Sequence, residues 1–311
     1  MNKILISGIG GDLGQSIATI VKQEYPGCEI FGIDSSDRHA GQFFCNHLSL
    51  SPLANDAGYM PYIENLILTH KIDLFIPSTE HELRQILKST NKTITDKVIS
   101  CDVDSLEKCL DKLTTFQFLS SKGLKTPWFT KYANEVKSFP CIYKDRTSSG
   151  SRSIFTVNTA AEADFYSKTY TNGLFQELLP DSENEYTCSI FCGKDKKIHI
   201  LILVRKLTGG ATSWCQVRQN KEIHDYCTDI VLALKSVGSI NIQLRLTKNG
   251  PLLFEINPRF SSTVLMRHLV GFSDVKWSID DMLNTPSHST YHPVKTGTTI
   301  VKTSNIIKYT T

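Results

Sequence analysis

The chain has 311 residues, 40% of them hydrophobic and 21% charged, with a formal net charge of +3. That composition fits a globular protein with a real core, and it excludes binding to nucleic acid through a basic face, because lysine and arginine are scattered rather than striped. The longest apolar run, "IHILILV", is far short of the ~20 residues that cross a bilayer, so no membrane partner is expected.

Residues 1–101 alternate strand and helix signals. "KILISGI" is a short apolar strand. The turn bearing Gly8, Gly10, Gly11 and Gly14 opens a helix whose Leu13, Ile17, Ile20 and Val21 recur at helical spacing. The apolar start breaks at Gly8–Asp12, too early for a secretory leader. "EIFGID", "IDLFIPS" and "KVISCD" read as further strands at the spacing of a parallel, Rossmann-like α/β sheet. A dinucleotide cradle with Asp34 on the ribose is one reading of the glycine turn. The other is close strand–helix packing, and it is preferred because a strict fingerprint needs glycine where Leu13 stands.

From about Leu106 the texture changes to α+β. "SLEKCLDKLTTFQFLSSKGL" reads as one amphipathic helical stretch stopped by Gly123. "FPCIYKD", "SRSIFTV", "GLFQELL", "EYTCSIFC" and "KIHILILVRKL" follow as strands. A helix around Asp225–Val237 leads to two last strands, Ile240–Thr247 and Leu252–Asn257. The tail from Pro286 onward is rich in threonine and serine and carries no clear signal.

The nine cysteines show no C-x-x-C pair. Scattered thiols read as reduced, and a cytoplasmic location is expected. Cys188 with Cys192, and His288 with His292, lack the further ligands a metal needs.

The last two strands carry the chemistry. Asn241, Gln243 and Arg245 alternate with apolar residues on one strand, and Glu255, Asn257 and Arg259 alternate on the other. A three-residue loop, Lys248–Gly250, sets Gln243 opposite Glu255 and Asn241 opposite Asn257 on one sheet face. One carboxylate among amides and a guanidinium suits magnesium shared with a polyphosphate, whose own oxygens complete the hard ligand set.

"FEINPRFSS" with the upstream "NIQLRL" resembles the metal-binding signature of the ATP-grasp superfamily, in the branch of the carbamoyl-phosphate synthase large chain and related carboxylate–amine ligases. The resemblance extends over nearly the whole chain. It implies a pre-ATP-grasp domain at 1–101, a small lobe at 102–172 and a large lobe with the metal site at 173–311. "FPCIYKDRTSSGSRSIFTV" resembles the family's strand, lysine and phosphate lid, which implies that Lys144 and the lid residues Ser149, Gly150 and Ser151 contact phosphates. "LFQELLPDSENEY" resembles the adenine hinge, implying Glu177, Leu178 and Leu179 at the base and Glu185 at the ribose. Lys112 is implied as a second basic phosphate contact. Gln243, Glu255 and Asn257 are the implied ligands of two Mg²⁺ ions, with Mn²⁺ as a substitute, and Arg259 the neutraliser of the terminal phosphate. Arg205, on the strand before "LTGGATSW", is the candidate holder of a substrate carboxylate.

The implied activity is an ADP-forming ligase that turns a small carboxylic acid into an acyl phosphate and passes it to an amine. A homo-oligomer is compatible with this reading. Two rivals are an NAD(P)-dependent epimerase or reductase, for which no Tyr-x-x-x-Lys pair appears in a helical stretch, and a non-catalytic ATP-binding regulator. One lid glycine, Asp145 after Lys144, and Ser261 and Ser262 where relatives carry a second arginine depart from the family pattern.

Overall fold

The computed structural model describes residues 3–147, 154–180, 185–209, 211–288 and 291–303. Strands β1 (Lys3–Ser7), β2 (Glu29–Asp34), β3 (His47–Leu50) and β4 (Leu74–Ile76) form a parallel sheet in the order β3-β2-β1-β4. The two central strands are buried almost throughout. Such strands read as unbroken apolar runs because helices cover both faces. Helix α1 (Asp12–Glu24) packs Ile17, Ile20 and Val21 on one face, and α2 (Tyr59–His70) packs Ile63 and Ile67 on the other. Helix α3 (Glu80–Lys88) starts at a capping box of Thr79 with Glu82, and the short α4 (Lys92–Thr95) follows.

"KVISCD" is not a strand: only Val98 bridges, to Phe75. The chain turns away at Asp102, whose carboxylate accepts from the N–H groups of Ser105 and Val237. The expected single helix is likewise two, α5 (Val103–Cys109) and α6 (Lys112–Ser121). Asp111 divides them, because its side chain caps α6 by accepting from Leu113 N at 2.9 Å. Lys112 therefore opens a helix rather than lying within one.

A four-stranded antiparallel sheet comes next, β5 (Phe129–Thr130), β6 (Cys141–Asp145), β7 (Ile154–Val157) and β8 (Gly173–Glu177), in the order β5-β8-β6-β7. Helix α7 (Ala160–Thr169) backs it, with Tyr166 stacked on Phe155 and Tyr143. The last sheet has six strands, β9 (Glu185–Cys192), β10 (Ile198–Thr208), β11 (Ala211–Arg218), β12 (Gly238–Thr247), β13 (Gly250–Asn257) and β14 (Thr299–Val301), in the order β13-β12-β9-β10-β11-β14. Strand β14 comes from the Thr-rich tail that gave no sequence signal. Helix α8 (Lys221–Leu234) packs Ile223, Cys227 and Ile230 on β12 and β13 through Ile242, Leu244 and Leu253.

Helices α9 (Val264–Leu269) and α10 (Asp274–Met282) return to α1, so that Val264, Val275 and Ile279 share a core with Ile17 and Ile20. The parallel sheet is thereby joined to the chain's far end by a common apolar interior.

The β12–β13 hairpin departs from expectation in an instructive way. Thr247 pairs with Gly250, so the loop is the two residues Lys248 and Asn249, not three. Gln243 nonetheless faces Glu255 and Asn241 faces Asn257, because the register shifts between Gln243 and Leu244 and leaves Phe254 over as a bulge. The extra residue that the register demands sits in the strand instead of the turn.

Candidate active site

Between the four-stranded and six-stranded antiparallel sheets lies a cavity of about 250 Å³. Alternation along β6 sends Ile142 and Lys144 into it and Tyr143 into the small core behind. The bulge breaks alternation on β13, so the consecutive Phe254 and Glu255 both line the cavity, beside Gln243 and Arg245 of β12. Lys112, Glu177, Leu178, Leu179, Glu185 and Arg205, all expected at the site, line it too.

At one end, two lysines converge on one carboxylate. Lys112 Nζ lies 3.1 Å from Glu255 Oε1, with side chains 12% and 20% exposed. Lys144 is 4% exposed and donates from Nζ to the carbonyl of Phe254 at 2.7 Å. The bulge removes that carbonyl from the regular ladder, and Lys144 supplies its partner. Burial pushes the Lys144 amine down to about 7, against the pull of Glu255 and with a smaller push from Lys112. Burial works against ionising Glu255, yet Lys112, Lys144 and Arg259 outweigh it and hold the carboxyl below its usual range.

At the other end, Glu185 is shared by two guanidinium groups, Arg205 at 3.8 Å and Arg245 at 3.4 Å. Arg245 Nη1 also donates to the carbonyls of Leu179 at 2.9 Å and Pro180 at 2.8 Å, tying the segment after β8 to the large sheet. Arg205 is 8% exposed, and its Nε is buried with no partner among the described residues. Burial lowers its pKa in spite of Glu185 and Glu255. Glu177 uses its carboxylate internally, accepting from Trp128 N at 3.2 Å, and its own N–H donates to the carbonyl of Trp128 at 3.0 Å.

Two expected residues do not line the cavity. Asn257 is 5% exposed and accepts from Arg259 Nη2 at 3.4 Å. Arg259 turns instead toward Glu80 of α3, at 3.4 Å. The buried carboxylate of Glu80 fixes Arg259 just outside the lining, close enough to Glu255 to help lower that carboxyl's pKa. Ser149, Gly150 and Ser151 lie outside the described residues. Sequence reasoning missed Arg245, although its place two residues after Gln243 on the polar face of β12 was a sufficient signal. It also missed Phe254, for which a bulge left none.

The donor set fits a hard cation only in company. Among the described residues no group of three His, Cys, Asp or Glu side chains converges to hold a metal. Glu255 contributes one carboxylate and Gln243 an amide oxygen, and an ammonium already sits where positive charge is wanted. The lining holds four cationic side chains (Lys112, Lys144, Arg205, Arg245) and four anionic ones (Asp145, Glu177, Glu185, Glu255). A cavity so balanced takes a polyphosphate most readily with its charge offset by divalent ions.

Residues 171–306 match the model of a family described as "ATP-grasp in the biosynthetic pathway with Ter operon". The fold is that of several solved structures. N5-carboxyaminoimidazole ribonucleotide synthetase from Thermotoga maritima superposes with a TM-score of 0.69 at 21% identity, covering 92% of this chain and 77% of that one. The biotin carboxylase domain of 2-oxoglutarate carboxylase from Hydrogenobacter thermophilus, solved with magnesium ADP and bicarbonate, gives 0.75 at 14% identity over 96% and 73%. A carboxyaminoimidazole ribonucleotide synthase from Aspergillus clavatus, in complex with ATP, gives 0.73 at 12% identity over 94% and 80%. No curated protein sequence matches the chain.

Proposed function

We propose that this chain is an ATP-grasp enzyme, an ATP- and Mg²⁺-dependent ligase that converts a small carboxylic acid to an acyl phosphate, joins it to an amine, and releases ADP and phosphate; the family match over residues 171–306 supports the reading. The observation that carries this is the convergence of Lys112 and Lys144 on Glu255, opposite Gln243, inside a cavity closed at its far end by Glu185, Arg205 and Arg245. The lysine end suits a terminal phosphate, and Glu185 with the segment that Arg245 ties down suits hydroxyls and a flat base edge. The three units proposed are residues 1–101, 102–172 and 173–311.

The nucleotide's base would rest against Leu178 and Leu179, with the hinge backbone reading its edge and Glu185 accepting from the ribose. Lys144 and Lys112 would meet the outer phosphates as point charges, helped by the segment with Ser149, Gly150 and Ser151. Glu255, Gln243 and Asn257 would hold two Mg²⁺ ions, with Mn²⁺ able to replace them, and these ions would spread the charge that builds up on the γ-phosphoryl group. Arg205 would hold the acid for in-line attack by its carboxylate oxygen on the γ-phosphorus. That forms one P–O bond as the bond to ADP breaks. The amine then attacks the acyl carbon, loses a proton and expels phosphate, while a closed cavity keeps water from the intermediate.

The test is a panel of carboxylic acids with ATP, Mg²⁺ and hydroxylamine. Hydroxamate and ADP should rise together with one class of acid. AMP and pyrophosphate as products would overturn the proposal, since the α-phosphorus would then be the one attacked.

A further inference from the structure

Lys112 and Lys144 are proposed above to meet the outer phosphates, and the family resemblance implies that Arg259 neutralises the terminal one, yet the three sit on separate stretches of chain. One face of α3 touches all three stretches. Glu80 and Arg84 lie one helical turn apart and pair at 3.4 Å. Arg84 Nη2 donates to the carbonyl of Leu110 at 2.6 Å and to that of Thr147 at 2.7 Å. Leu110 immediately precedes the Asp111 cap and Lys112. Thr147 ends the segment that starts at Lys144, and its N–H is held by Asp145 at 2.7 Å. The second oxygen of Glu80 lies 3.4 Å from Arg259 Nη2.

Glu80 is 5% exposed and stands between two guanidinium groups. A carboxylate so placed sets geometry far more firmly than a surface ion pair does, and its removal strands a buried charge. Arg259 otherwise depends on Phe260 O at 2.9 Å and Asn257 Oδ1 at 3.4 Å, because its Nε has no partner among the described residues. Both residues are far more elaborately bonded than a solvated helix face requires.

We infer that Arg84 and Glu80 are positioning residues of the nucleotide site: α3 registers the two phosphate-binding segments against each other through Arg84, and aims Arg259 through Glu80. The inference rests on the ATP reading above. Neither residue touches the nucleotide. Arg84 acts on segments that meet any phosphate chain, whereas Glu80 acts on a group reserved for the terminal phosphate.

Calorimetric titration of the full chain with ADP and with a non-hydrolysable ATP analogue, each with Mg²⁺, separates these roles. Arg84→Ala should weaken both ligands about tenfold, the scale of one lost charge-assisted contact. Arg84→Lys should recover most of that loss, because an ammonium can still reach both carbonyls. Glu80→Gln should leave ADP within about twofold and weaken the analogue about fivefold to tenfold. A merely structural role would shift the two ligands alike, so equal shifts in Glu80→Gln, or unchanged binding in both Arg84 variants, overturn the inference. A wild-type chain that binds neither nucleotide overturns the ATP reading itself, before any variant is compared.

Discussion

Two polar clusters in this chain resemble sites in the sequence, and each borders a cavity, of about 350 Å³ beside Gly8 and Asp34 and about 250 Å³ at the hairpin. The turn Gly8–Gly14 with Asp34 has the residue types of a phosphate cradle. In the fold Gly10 N donates to Asp34 Oδ2 at 2.9 Å, and a Cβ on Gly10 would lie 2.2 Å from the ring of His39. A Cβ on Gly14 would lie 2.3 Å from the carbonyl of Gly8. These glycines serve close packing, and the one acid is already in use. The β12–β13 hairpin has the residue types of an ordinary half-exposed ribbon. Yet its acid meets Lys112 at 3.1 Å and feels the charge of the buried Lys144 inside a cavity. The difference lies in what else packs there. Residue types nominate a site, and opposite charges gathered from several elements around one space select it.

Glu255→Gln is the sharpest way to break this comparison. It removes the single carboxylate opposite the lysines with almost no change in shape, and turnover should fall by about a thousandfold or more, the scale of losing charge stabilisation at a phosphoryl-transfer centre. Circular dichroism should stay unchanged. Ordinary turnover in the folded variant would make Glu255 structural, and the hairpin no better a site than the glycine turn.

Lys144→Ala should cost about a hundredfold in ADP formation, since a backbone segment cannot replace a point charge on phosphate. Lys144 also predicts a proton balance. Its free-state pKa is pushed down to about 7, so the amine is mostly neutral at about pH 8 and mostly charged at about pH 6. A polyphosphate beside it favours the charged form and raises that value. Nucleotide binding should therefore take up a proton at about pH 8, and take up little at about pH 6. Calorimetry in buffers of differing ionisation heat measures this, and Lys144→Met should abolish the uptake.

Arg205→Lys should act more mildly, raising KM for the acid about tenfold with a smaller effect on KM for ATP, because a forked donor is lost while the charge stays. An equal rise in both constants would move Arg205 to the nucleotide. The smallest catalytic effect belongs to the other cluster. Gly10→Ala should leave turnover within about twofold while lowering stability by about 1–3 kcal/mol, as His39 must move or clash. Its Tm reports the cost, and NADH should neither bind nor compete with ATP. Strong NADH binding would reopen the glycine turn as a site.

The sequence by itself was enough for the parallel sheet's two central strands, the helix after the glycine turn, and the polar faces of β12 and β13. Each rests on a local periodicity of apolar residues, and local periodicity survives whatever packs around it. It also named most of the charged side chains of the cavity's lining, since Lys112, Lys144, Glu177, Glu185, Arg205 and Glu255 meet there with Gln243. Tertiary structure decided the rest. The pairing of Gln243 with Glu255 was read correctly but for the wrong reason, because whether the odd residue falls in the turn or at Phe254 depends on Lys144, more than a hundred residues away in sequence, taking the freed carbonyl. Arg259 was expected in the cavity lining, and it stands just outside, paired with Glu80 of another sheet's helix. Strand β14 had no signal of its own and exists because β11 offers it an edge. Spacing along the chain fixes which face a side chain takes; which partner meets that face is settled by desolvation and charge across elements, and no window of sequence contains both sides of that contest.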